Sequence, residues 1–447
     1  MRFKAHTISA TALCLFLGQA NAATLAEIYD LSVTNDPQIG AAEATFMARK
    51  EIVTQARAGL LPSIGIGGSH SESQRAVLPN AFGDRFEAHG WQARINQPVF
   101  RLDTWFQFQR SKDVRAQAKA NFATEQQDLI VRVAESYFSI LEAQDRLTAS
   151  EAARDATKRQ LEQVQQRFDV GLVAITDVLE ATAAFDSQAV TVIEAEGAQQ
   201  VSFEPLLRLT GERLEEVASL SPEFPVKYPE PRDEDAWVET ALQQNFSLLA
   251  AKEGIKAAQK QIQVVRSGHY PSVDASVSYG HNVTGGGDFF GSKVNNKSIS
   301  LVLNVPLYSG GAVHSRVKQA IFDLEAAQKN LELTQKSVVE QTRIMYTAIN
   351  TDVGRVEARL KGIESSQSAL DATQTGYEVG TRNIVDVLLA QRSLFQAQFE
   401  YASAKYKYVL DTFRIKQLAG TLSPEDIIEL TRFLDSSTSI KKLSRVN

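Results

Sequence analysis

Two periodicities divide this chain of 447 residues. From Trp91 to Val99, the apolar Trp91, Ala93, Ile95 and Val99 occupy odd positions and the polar Gln92, Arg94 and Asn96 even ones. A period of two predicts a strand with one apolar and one polar face. Just before it, Ile64, Ile66 and Gly68 alternate more weakly with Ser63, Gly65, Gly67 and Ser69. The pattern returns later and more clearly. Val273, Ala275, Val277 and Tyr279 alternate with Ser272, Asp274, Ser276 and Ser278. After a Gly-rich turn, Ile299, Leu301, Leu303 and Val305 alternate with Ser298, Ser300 and Asn304. Pro62, Pro98, Pro271 and Pro306 stand at the ends of these strand pairs. Proline lacks an N–H and disfavours helix in the residue before it, which suits a helix–strand junction.

Elsewhere the spacing is helical. Leu102 to Arg167 contains no proline or glycine, and at 1.5 Å per residue it predicts a helix of about 100 Å. Val313 to Thr375 is interrupted only by Gly354 and Gly362. Leu129, Val133 and Tyr137, and Leu331, Val338 and Met345, recur at heptad-like intervals, with Gln, Glu, Arg and Lys on the other faces. So long a stripe cannot be buried against itself, so it needs neighbours of similar length in a coiled-coil array. Gly171 and Gly380 sit where these helices should turn, as left-handed C-caps. After Gly380, Thr381 or Asn383 can cap the next helix. The return helices run to about Thr210 and Ala419 and are closed by Gly211 and Gly420. Pro205 should kink the first of them, whereas its counterpart Arg414 should not. A first helix spans about Thr24 to Ala58, with Asp36-Pro37 as an interruption. Ser221 to Pro231 holds four prolines and reads as an extended connector. The tail has one short helical candidate, Pro424 to Leu434, and then a polar end.

The whole pattern occurs twice, at an offset of about 209 residues. Arg57-Ala58-Gly59 before Pro62-Ser63 answers to Arg266-Ser267-Gly268 before Pro271-Ser272. Tyr137 answers to Tyr346, Phe168-Asp169-Val170-Gly171 to Tyr377-Glu378-Val379-Gly380, and Gly211 to Gly420. One residue slips where Pro98 answers to Pro306. A duplicated unit of this length makes the same shape twice and packs beside its twin. The expected organisation is a signal at 1–22, a first repeat at 23–211 with strands in 62–100, and a Pro-rich connector at 212–236. A second repeat follows at 237–420 with strands in 271–308, and then a tail at 421–447.

The strands are about 10 residues or longer, enough to cross a bilayer when tilted. The alternative, soluble hairpins packed on a core, lacks an evident core for them to cover. Four strands cannot close a barrel and open edges are not tolerated in lipid, so a membrane reading requires oligomerisation. The N-terminus agrees with export. Arg2 and Lys4 precede a short apolar stretch from Ile8 to Leu17, and Ala20-Asn21-Ala22 is a small-x-small cleavage signal. The mature chain should begin at Ala23. Cys14, the only cysteine, lies inside that signal behind the bulky Leu13, so disulfide, Cys-metal and Cys-nucleophile chemistry are all excluded from the mature chain. No mature segment has 18 consecutive apolar residues. The formal charge of −6, with no basic cluster, gives no reason to expect nucleic acid.

Catalytic chemistry is scarce. His6 is in the signal, and His70, His89, His269, His281 and His314 lack the i,i+3 or i,i+4 partners of a metal site. Gly286 and Gly291 are spaced like phosphate-loop glycines, but Ser292-Lys293 reverses the required order and the segment lies in a hairpin. It reads as an exposed loop. No cofactor, metal or enzyme activity is expected.

The residues with the most information are at the two helical turns, Arg167 to Val178 and Tyr377 to Leu388. On residues alone they are turn chemistry and solvated charges. Together with the duplication and the hairpins, however, Gly171-Leu172-Val173-Ala174-Ile175-Thr176-Asp177-Val178 and Tyr377 to Leu388 resemble the periplasmic tip of the TolC family of outer-membrane efflux and secretion channels. Val305-Pro306-Leu307-Tyr308-Ser309-Gly310-Gly311 resembles that family's strand-to-helix junction. The resemblance covers about Leu25 to Leu434. It implies an α+β membrane protein: a homotrimer whose four strands per chain form a 12-stranded barrel, continued by a long α-helical barrel, in the outer membrane of a Gram-negative bacterium and reaching into the periplasm. It implies a gate in which Tyr377 and Arg382 bond to Thr176 and Asp177 on neighbouring helices. It places Asp386 at the constriction, with Leu389 where a second aspartate would stand. It assigns Gly171, Leu172, Val173, Gly380 and Thr381 to docking of a periplasmic adaptor. An RND, ABC or MFS translocase of the inner membrane would drive small molecules or unfolded proteins through. The alternative is a periplasmic coiled-coil scaffold or adhesin anchored in the outer membrane.

Overall fold

The computed structural model describes residues 22–77, 80–286 and 289–443, without the side chains of 75–85, 286–290 and 436–437. The export signal expected at 1–22 lies outside the described residues, apart from Ala22. Helix α1 (Leu25–Asn35) starts from a capping box in which Thr24 and Glu27 bond each other's backbone, and it stops at Asp36. Asp36 then caps α2 (Pro37–Ala58), accepting a bond from the Gln38 N–H. The interruption expected at Asp36-Pro37 is thus a helix end followed by a helix start. The second repeat does the same at the equivalent residue. There α6 (Glu234–Gln244) ends at Asn245, which caps α7 (Phe246–Arg266) by accepting from the Leu248 N–H. Both breaks lie close to the end of a return helix. Asn35 Nδ2 donates to the Thr210 carbonyl at 2.7 Å, and Asn245 Nδ2 donates to the Leu418 carbonyl at 3.0 Å.

The long helices form as the spacing requires. Helix α3 (Leu102–Asp169) has 68 residues and α8 (Ala312–Glu378) has 67. At 1.5 Å per residue each spans about 100 Å. Along its length α3 packs against α2, α7 and the return helices α4 (Ile175–Ser202) and α9 (Ile384–Leu418), while α8 packs against α7 and α9. The first return helix breaks at Phe203, and α5 (Glu204–Thr210) begins with Pro205 in its first turn. Proline fits there because that N–H has no helical partner anyway. Arg414 lies inside the unbroken α9.

Strands β1 (Ser63–Val77), β2 (Asn80–Phe100), β4 (Ser272–Gly286) and β5 (Phe289–Asn304) form one antiparallel sheet in the order β1-β2-β4-β5. The two repeats meet at β2 and β4. Opposite β4, strand β2 carries a register shift between Pro98 and Phe100. The strands run well past the visible alternation. Of the segment expected as an exposed loop, Gly286 and Phe289 to Lys293 belong to the ladder, with Thr284 opposite Ser292, while 287–288 lie outside the described residues. Its polarity belongs to the outer end of a strand.

The middle of the molecule was underestimated by the sequence pattern. Within the connector, β3 (Glu216–Leu220) pairs with β6 (Leu434–Lys441) of the tail, and Ala23 bridges to Val217 on β3. The tail's helix is α10 (Pro424–Thr431). These pieces cover the largest core, built from Leu25, Ile28, Leu129, Tyr137, Leu209, Val217, Phe413 and Ile427. Tyr137 donates its buried hydroxyl to the Ala218 carbonyl at 2.5 Å, tying the middle of α3 to β3. Each strand is too short to announce itself and exists only through its partner more than two hundred residues away.

Candidate functional site

The sheet register sorts side chains cleanly by face. Ile64, Ile95, Val277 and Ile299 stand opposite one another across four strands, and Ala275–Leu301 and Val273–Leu303 extend that row set toward the helices. The opposite face carries Ser63, Asn96, Ser276 and Ser300 in one row and Gly65, Arg94, Ser278 and Ser298 in the next. Ser276 and Ser300 are joined at 2.7 Å, as are Ser278 and Ser298. Among the described residues of the single chain no layer covers the apolar face: Ile299 is 86% exposed. The outer edges, β1 and β5, have no strand partner among the described residues. Such a sheet must meet lipid on one face and must find edge partners. Among the described residues no helix is long and apolar enough to cross a membrane.

At the other end of the long helices the two turns lie side by side. Gly171 has φ +76° and Gly380 has φ +80°, as left-handed C-caps require. The Leu172 N–H donates to the Arg167 carbonyl at 2.9 Å, and the Thr381 N–H to the Gly376 carbonyl at 2.8 Å. Val164, Val178, Ala181, Leu370, Ile384 and Val387 form a core shared by α3, α4, α8 and α9. The two turns therefore belong to one packed unit within each chain. Leu172 projects from it and is 74% exposed, whereas Val173 packs against the core. Thr381 does not cap α9; its hydroxyl donates to the Gly376 carbonyl at 3.0 Å. Asn383 caps α9 in a box with Asp386.

The expected gate residues are all at this end, but within one chain they pair differently. Arg382 Nη1, in the turn just before the Asn383 cap, lies 3.7 Å from Asp386 Oδ2 in the first turn of α9. Thr176 donates to Asp177 at 3.5 Å. Neither Tyr377 nor Arg382 bonds Thr176 or Asp177 within the chain. Tyr377 is only 8% exposed, and its buried hydroxyl has no hydrogen-bond partner among the described residues. Arg167 lies over its ring at 4.8 Å. Asp386 is thus neutralised in part by Arg382 and held by the cap. Leu389, one turn on, is exposed. Arg167 was missed as a partner because it lies on the other repeat.

A sheet with one lipid-compatible face, carried on helices of about 100 Å and ending in a doubled tip, defines an outer-membrane channel protein. The chain belongs to the outer membrane efflux protein family, whose model matches residues 28–212 and 237–421. It is 37% identical to the outer membrane protein TolC of Vibrio cholerae, covering 92% of this chain and 93% of that one. It is 27% identical to the alkaline protease secretion protein AprF of Pseudomonas aeruginosa, covering 96% and 91%. Among solved structures it is similar to the Campylobacter jejuni CmeC outer membrane channel, with a TM-score of 0.77 at 16% identity over 98% of this chain and 99% of that one. The outer membrane protein VceC of Vibrio cholerae gives a TM-score of 0.76 at 17% identity over 89% and 96%. The chain is an exit duct of the outer membrane.

Proposed function

We propose that three copies of this chain join their sheets edge to edge into a barrel of 12 strands, with the polar faces lining a pore and the long helices continuing it across the periplasm. The observation that carries this is the four-stranded amphipathic sheet with two open edges. β1 of one chain completes its ladder on β5 of the next, which removes every edge from lipid. The repeat supplies two tips per chain, so the trimer presents six around its axis. A periplasmic adaptor docks on the exposed turns at Gly171, Leu172, Val173, Gly380 and Thr381, and a translocase of the RND, ABC or MFS kind supplies the energy. The cargo class follows that partner. One relative is named for protease secretion and another for cobalt-zinc-cadmium resistance, so both protein and small solutes fit this reading.

The tip is the gate. In the trimer Tyr377 and Arg382 bond Thr176 and Asp177 across helices, and the three Asp386 carboxylates gather near the axis. Exposed ion pairs contribute only about 0.2–1 kcal/mol each, so a partner with a modest preference for the open tip can shift the equilibrium. Single-channel recording in planar bilayers tests the proposal. The wild-type trimer should pass a small current, and Arg382→Ser should raise the conductance. Because Arg382 also pairs with Asp386, the same variant should strengthen cation preference, whereas Asp386→Ala should weaken it. Absence of current from well-folded trimers refutes the duct. An unchanged reversal potential in both variants removes Asp386 from selectivity.

A further inference from the structure

Moving outward along the apolar face, away from the helices, its chemistry changes within three rows. Ile64, Ile95, Val277 and Ile299 form a wholly apolar row. The next holds Ile66, Ala93, Tyr279 and Lys297, and the one after it Gly68, Trp91, His281 and Asn295. Then come His70, His89, Val283 and Lys293. Two aromatics therefore mark the edge of the apolar band, with Trp91 and Tyr279 ring centroids 5.3 Å apart. Three histidines and two lysines stand at or just beyond that edge. The His70 and His89 rings lie 6.4 Å apart, His281 Nδ1 is 2.7 Å from Asn295 Oδ1, and Lys297 Nζ lies 5.8 Å from the Tyr279 ring centre. His70, His89, Lys293 and Lys297 are exposed. Glu72 and Glu87 face each other in the following row and close the belt on its outer side.

We infer that this belt binds the phosphate groups of anionic lipid headgroups in the outer leaflet, fixing the depth of the barrel. The inference rests on reading the apolar face as the lipid face. Aromatic side chains sit at the headgroup level of a bilayer, so the cations placed with and beyond Trp91 and Tyr279 lie where lipid phosphates lie. Lysine ammonium and imidazole N–H groups both donate to phosphate oxygens. The polar face offers no such belt at this height: opposite positions hold Ser69, Gly90, Asn282 and Val294.

The test uses the full trimer in vesicles doped with spin-labelled phosphatidylglycerol or phosphatidylcholine, read by electron paramagnetic resonance. Wild type should immobilise the anionic lipid about fivefold more strongly than the neutral one. K293Q/K297Q should lose part of that preference, and the addition of H70Q/H89Q should bring the ratio near one. Arg94→Gln, on the pore-facing side, should leave it unchanged. Equal immobilisation of the two lipids by wild type overturns the belt while leaving the lipid face intact, as does a preference that survives all four substitutions. Absence of any immobilised lipid refutes the lipid face itself. Loss of the preference on adding inorganic phosphate at matched ionic strength would assign the belt to the free ion and overturn the lipid assignment.

Discussion

Single residues decide how the repeat closes. Gly171 and Gly380 need a positive φ, but a Cβ at either would meet open space. Gly420 needs the same φ of +74°, and there a Cβ would press against the Gln244 carbonyl. Gly380→Ala should therefore cost only the left-handed strain, about 1–2 kcal/mol, whereas Gly420→Ala should cost clearly more; thermal melting of the two variants compares them. Buried carboxyls give a pH dependence. Burial raises the Asp145 carboxyl above its ordinary 3.8, against the opposing bond from the Tyr406 hydroxyl at 2.5 Å. Burial also raises Asp128 and Asp352. A native state that holds these protons longer than the unfolded chain loses stability as pH rises from 3.8 through the raised values. Asp145→Asn should flatten that decline. A melting temperature whose pH profile is the same in Asp145→Asn and wild type would show that the carboxyl is not responsible. Tip glycines and caps were readable from the sequence because turn chemistry is local. The burial of Asp145 and of the Tyr377 hydroxyl were not, since both depend on helices from the other repeat.

At the scale of elements, the long helices and the strands were legible because each repeats its period many times. β3 and β6 were not, because five and eight residues of ordinary composition carry no period. Their stability comes from covering the same central core that α1, α5 and α10 cover. This core and the tip core are separate clusters on the same long helices. Ile28 is fully buried in the central one. Ile28→Ala should cost about 2–5 kcal/mol and accelerate amide exchange in α1, β3 and β6. Exchange at the tip turns should stay as in wild type; equal acceleration there would mean that the two cores unfold as one unit.

For the whole molecule, the two faces of the sheet set the assembly. A cation on the lipid side of a barrel wall costs about 2–4 kcal/mol near the membrane centre, while the pore side tolerates it. Ile299→Arg should therefore reduce the yield of membrane-inserted trimer, and Ser300→Arg, its neighbour on the other face, should not. The yield is read from heat-modifiable mobility in gels, and equal insertion of the two would argue against the face assignment.

The sequence by itself determined the duplication, the long helices, the four strands and the alternation that separates an apolar face from a polar one. These follow from local periodicity, which survives without knowledge of neighbours. Only the tertiary structure decided which strand lies beside which, where the Glu216–Leu220 and Leu434–Lys441 strands meet, and how the tip residues pair. At the tip, Arg382 has carboxylates within reach in sequence and in space, and its pairing with Asp386 is a matter of geometry between side chains. The row of His70, His89 and Lys293 likewise arises only when four strands from the two repeats fall into one register.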